Sequence, residues 1–71
     1  MNKDIFLVTY EATFWDVNKP SKLKQEQVEF DHNDLISLQQ GEIVLGIQEK
    51  IKKSNHNYQA VIVINFWKLG L

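Results

Sequence analysis

The run AVIVINFWKLGL, residues 60–71, is apolar at both parities: Ala60, Ile62, Ile64 and Phe66 alternate with Val61, Val63, Asn65, Trp67 and Leu69. Its β-branched residues predict a strand. A strand apolar on both sides needs cover on both sides, which is the pattern of a central strand. That demand is severe in a chain of 71 residues, because a domain this small takes only roughly 60–65% of its unfolded surface out of water. There is no cysteine, so neither a disulfide nor a thiolate metal site supplements the core. Packing or self-association must supply the stability.

The other end of the chain offers a matching strand. From Asp4 to Trp15 the even positions Phe6, Val8, Tyr10, Ala12 and Phe14 form one apolar side, and the odd positions read Ile5, Leu7, Thr9, Glu11, Thr13 and Trp15. Period-two alternation of this kind sends the even side chains to a core. The segment DVNKPS that follows holds the only Pro together with Asp, Asn and Ser, which is turn chemistry. Residues 21–30, SKLKQEQVEF, admit two readings: a short helix capped by Ser21, or a strand from Leu23 to Phe30 pairing back on the first. The VEF alternation and the first strand's need for a ladder partner favour a strand at Gln27 to Phe30.

A helix is expected from Asp31 to Ser54. With Asp31 as N-cap, Asp34 falls at N3 and Phe30 can staple to Leu35, while Lys50, Lys52 and Lys53 gather at the negative end of the helix dipole. At about 100° per residue, Ile36, Ile43, Val44, Ile47 and Ile51 share one stripe, and Leu38 and Leu45 lie off it. Gly41 and Gly46 each cost up to about 1 kcal/mol in a helix interior, so a break near Gln40-Gly41 is an alternative to one long helix.

The assembly these elements specify is a single α+β domain of order β-β-α-β: a small two-layer fold with a mainly antiparallel three-stranded sheet, strand order 2-1-3, and one long or broken helix on one face. The helix stripe would cover Phe6, Val8, Tyr10, Phe14, Ile62, Ile64 and Phe66. The opposite face would then carry Ile5, Leu7, Val61, Val63, Trp67, Leu69 and, by parity, Trp15. Leaving these wet forgoes about 1.5–3 kcal/mol for each large side chain that could be buried, and extended apolar patches mark interaction sites. Leu7, Trp15, Val61, Val63, Trp67 and Leu69 are therefore the expected interface of a homodimer, unless residues 16–30 fold back over this face or the strand parity slips at a bulge.

Motifs for chemistry are sparse. His32 in DHND and His56 in NHN, with Asp31 and Asp34, are the visible candidates for a metal or acid–base site. Their spacing matches no ligand motif, and capping accounts for the two aspartates. Neither a Ser–His–carboxylate arrangement nor a phosphate-cradling glycine loop is present. No catalytic residue, cofactor or metal is expected. The net charge is −1 and all eight basic residues are lysine; without Arg, the side chain best suited to bidentate phosphate and guanine recognition, duplex nucleic acid is a poor partner. The clusters Lys19-Lys22-Lys24 and Lys50-Lys52-Lys53 read as a solvated loop and helix end.

No apolar run approaches the roughly 20 residues of a membrane span, Glu11 interrupts any secretory signal, and the missing cysteines fit a reducing cytoplasm. The abundance of Lys, Asn, Ile and Gln is common in AT-rich coding and fits a bacterial or phage origin. The resulting expectation is a cytoplasmic homodimer without catalytic activity that acts by binding another protein, as accessory or inhibitor proteins do. The alternative is a single-stranded nucleic-acid binder using sheet aromatics and lysines, and the third is a small enzyme with a site at the dimer interface.

Overall fold

The strand of residues 3–14 lies at the centre of the sheet, with a partner on each side. The last strand, whose two apolar sides read as a central strand, therefore forms an edge with one neighbour only. The computed structural model of the protein describes residues 2–69, and within them the chain runs β1 (Lys3–Phe14), β2 (Lys22–Asp31), α1 (His32–Leu35), α2 (Gln40–Ser54) and β3 (Tyr58–Leu69). The end of the expected final strand, Gly70 and Leu71, lies outside the described residues. β1 pairs antiparallel with both β2 and β3, giving the order β2-β1-β3. This is the α+β arrangement that the sequence specifies, with the helical segment broken in two.

Turn chemistry closes the first hairpin. The Asn18 N–H donates to Oδ1 of Asp16 at 2.9 Å and the Lys19 N–H to the Asp16 carbonyl at 3.0 Å, so the aspartate folds the backbone on itself. β2 then pairs from Lys22, opposite Ala12, to Asp31, opposite Lys3. Residues 22–26 are thus strand and not helix, and only Val28 and Phe30 of β2 are buried.

The helix break falls at residues 36–39, slightly before Gly41. α2 starts on a capping box: the Gln39 N–H donates to Oε1 of Glu42 at 3.1 Å, and the Gln39 side chain accepts from the Glu42 backbone. Asp31 precedes α1 with extended backbone, but its side chain makes no capping hydrogen bond. The first helical N–H, that of His32, is instead taken by the carbonyl of Asn2 at 3.1 Å. Ile36 falls in the break and is exposed, whereas Ile47 and Ile51 are fully buried and Ile43 packs against them. Gly46 has a packing reason: a Cβ there would lie 3.1 Å from Cε1 of Phe30, so the missing side chain lets the helix settle on that ring. Phe30 in turn meets Phe6 edge-on at 5.8 Å.

The core comprises Phe6, Val8, Tyr10, Ala12, Val28, Phe30, Ile47, Ile51, Tyr58 and Val61. Here β3 departs from simple alternation. Thr9 pairs with Asn65 but Tyr10 pairs with Val63, leaving Ile64 as an extra residue; a second shift separates Thr13, opposite Ala60, from Phe14, opposite Tyr58. Each bulge reverses which side chains face the helix. Phe66, Val63, Val61 and Tyr58 therefore all point to the core, although simple alternation would divide them between faces.

Candidate functional site

The sheet face opposite the helices is uncovered by any described element, and it is divided lengthwise. Along β1 and β3, Ile5 lies opposite Leu69 and Leu7 opposite Trp67; Ile62, opposite Glu11, and the bulge residue Ile64 extend this apolar strip. Along β2 the same face is polar apart from Leu23, which lies opposite Glu11 and is exposed: Gln25 donates to Oγ1 of Thr9 at 3.2 Å, Ser21 donates to Oε2 of Glu11 at 3.1 Å, and Lys3 pairs loosely with Glu29 at 3.9 Å.

Leu7, Trp67 and Leu69 thus share the open face as expected, with Trp67 42% exposed. Val61 and Val63 do not. Val61 is only 5% exposed beneath the helix, and Val63 packs against the same core, because the bulge at Ile64 shifts both to the covered side. Their places on the open face go to Ile62, 51% exposed, and Ile64, 58% exposed. Trp15 follows the end of β1 at the hairpin end of the sheet, where it is 64% exposed and its N–H donates to the Asn57 carbonyl at 3.2 Å.

Two polar clusters stand at opposite ends of the sheet. At the α1 end the buried Asp4 accepts from Nδ1 of His32 at 2.8 Å and from Nζ of Lys68 at 3.1 Å. The hydrogen bond from His32 holds the Asp4 carboxyl below its usual range; burial opposes this, and Lys68 adds to the lowering. The cluster ties β1, α1 and β3 together, and nothing in the spacing of three distant residues marks it in the sequence. Asp31 and Asp34, the expected companions of His32, are exposed.

At the hairpin end the Tyr10 hydroxyl donates to Oε2 of Glu26 at 2.5 Å, and Nζ of Lys24 donates to the Tyr58 hydroxyl at 3.0 Å. Burial, then the bond to Glu26, pushes the Tyr10 phenol well above its ordinary value. Burial acts the same way on Tyr58, but the ammonium of Lys24 and the neighbouring Tyr10 outweigh it and the net direction is downward. Lys24 is itself raised by that hydrogen bond and stays charged.

Among the described residues no cluster of three or more His, Asp or Glu side chains could hold a metal ion, and the only hydrogen-bonded partner of a histidine side chain is Asp4. The serine hydroxyls that donate do so elsewhere, Ser21 to Glu11 and Ser37 to the Asp34 carbonyl. Among the described residues, too, no helix is long and apolar enough to cross a membrane. No protein-family model, curated protein or solved structure matches the chain.

Proposed function

We propose that the protein is a small, non-enzymatic interaction protein of the bacterial or phage cytoplasm that works as a homodimer and binds another protein. The observation that carries this reading is the open apolar strip of Ile5, Leu7, Ile62, Ile64, Trp67 and Leu69. A second copy stacked face to face would take these side chains out of water and supply the second layer that both apolar sides of β3 demand. Pairing along the outer edge of β3 is a poorer solution, since two bulges interrupt that strand. Ile36 and Leu45, exposed on the helical layer away from this strip, remain available to the protein partner.

The strip sets the strength of association. Burying the exposed part of each of its six side chains contributes on the order of 1 kcal/mol, roughly 12 kcal/mol from two copies, against about 4 kcal/mol or more for lost rigid-body freedom. A surplus of at most about 8 kcal/mol corresponds to a Kd no tighter than about 1 µM. Sedimentation equilibrium from about 1 µM to about 1 mM spans this range and is expected to show a reversible monomer–dimer transition that Trp67→Ser weakens without loss of fold. A monomer throughout would overturn the proposal.

A further inference from the structure

Two lysine clusters far apart in sequence meet at one end of the fold. The hairpin turn meets the segment that follows α2, which brings Lys19, Lys22 and Lys24 to Asn55 and Asn57, while His56 of the same segment borders Lys52 and Lys53. The lysines line three hollows, each sharing border residues with the next. The first, about 390 Å³, is walled by Lys19, Lys22 and Lys24 over a floor of Phe14 and Tyr58. Phe14, Lys19 and Asn57 also border the second, where Trp15 and His56 join them. His56 in turn borders the third, with Lys52, Lys53 and Glu49.

Four features of this track point to a linear, phosphate-bearing ligand. Five ammonium groups border it against two carboxylates, Asp16 and Glu49, in a chain whose net charge is −1. Among the described residues none of the five lysines is in a salt bridge. Two are held in place over aromatic rings: Nζ of Lys19 lies 5.3 Å from the Phe14 ring centre, and Lys24, hydrogen-bonded to Tyr58, lies 5.6 Å from its ring centre. The negative pole of α2 also ends here, but Asn55 donates to the carbonyls of Ile51 and Lys52, and Lys52 and Lys53 occupy the last turn, so the pole is largely compensated. Finally, the Trp15 indole, 64% exposed, stands midway along the track with nothing described over it.

We infer that this end of the molecule binds single-stranded nucleic acid, with lysines on the phosphates and a base stacked on Trp15. A charged track interleaved with an aromatic platform fits a polymer that carries both a phosphate and a π-face at every step. An acidic protein matches the charge, but it does not present a flat π-face at every step along its chain. The inference is independent of the open sheet face and does not require the dimer.

Fluorescence anisotropy with labelled oligo-dT and oligo-U of about twelve nucleotides, within the usual site sizes of about 4–16, tests it; binding of either supports the inference and identifies the kind of strand. If about four phosphates are neutralised, affinity should fall roughly 50-fold between about 50 and 200 mM salt. Trp15→Ser should weaken binding about 5- to 150-fold, the loss of one stacked base, with an unchanged circular dichroism melt. The double variant Lys22→Gln, Lys53→Gln should instead make the salt dependence shallower by about 1.4 in log–log slope. Absence of binding at about 50 mM salt would overturn the inference. So would displacement by poly-glutamate at equal charge with no effect of Trp15→Ser, which would assign the track to an acidic protein.

Discussion

Neighbouring residues in β3 should behave as opposites. Val61 lies in the core and Ile62 on the open face, because the bulge at Ile64 reverses the alternation. Val61→Ala deletes the equivalent of two buried methylenes, about 1.6 kcal/mol of transfer free energy. Incomplete closure of the vacated space, at about 24 cal/mol per Å³, raises the cost to about 2 kcal/mol. Ile62→Ala removes a side chain already half in water, and in the monomer it should stay within about 0.5 kcal/mol. For a chain this short, with a urea m-value of about 1 kcal/mol/M, the Val61 variant's midpoint should fall by about 2 M and the Ile62 variant's by less than about 0.5 M. Unfolding is followed by far-ultraviolet circular dichroism in a long-path cell at about 0.2 µM protein, below the tightest Kd estimated for the dimer, where the monomer predominates. At high concentration the Ile62 variant should lose the added stability that association gives the parent chain. A large shift for Ile62→Ala with almost none for Val61→Ala would mean that β3 alternates without the bulge, and the composition of the open strip would be wrong.

Other substitutions probe the remaining elements. Gly41→Ala meets nothing within 4 Å and should raise the thermal midpoint by the equivalent of up to about 1 kcal/mol. Gly46→Ala, pressed against Phe30, should show no such gain in the same melts. Asp4, held by His32 and Lys68 below the ordinary carboxylate value of 3.8, contributes stability that is fully present above that pH and is lost as pH falls through the lower folded-state value. Asp4→Asn should therefore flatten the acid limb of a stability–pH profile. Tyr10→Phe should cost about 1.5–3 kcal/mol at neutral pH for the bond to the Glu26 carboxylate. Because folding raises the Tyr10 phenol above its ordinary value of 10.0, its contribution is complete below pH 10 and declines above it, so the variant should also lose part of the parent's alkaline destabilisation. Tyr58, shifted the other way, carries the opposite sign.

β1 was legible because its two sides differ in chemistry: Phe6, Val8, Tyr10 and Ala12 alternate with a mixed set that includes Thr9 and Glu11. The strand order followed from the simplest assembly, a hairpin with the last strand inserted beside the first. β3 resisted for the converse reason, since Val61, Ile62, Val63 and Ile64 are interchangeable in polarity and either register would satisfy the pattern. β2 was seen only in its second half, where Val28 and Phe30 reach the core; Lys22, Lys24 and Glu26 are not buried, and their polarity resembles a solvated helix. The Asp4 clamp and the lysine track each join segments distant in sequence, which only the fold brings together.

The central position of β1 also shapes how the protein is made. One ladder of β1 can close as soon as Asp31 is available, but the other waits for partners 44 to 64 positions away, from Tyr58 opposite Phe14 to Leu69 opposite Ile5. Pairing at such separation is slow. Until β3 arrives, a nascent hairpin presents β1 as a long unpaired edge beside half-formed core. On a polysome, the β3 of a neighbouring chain could complete that edge as readily as the chain's own, so synthesis at low ribosome density should favour correct closure over strand exchange.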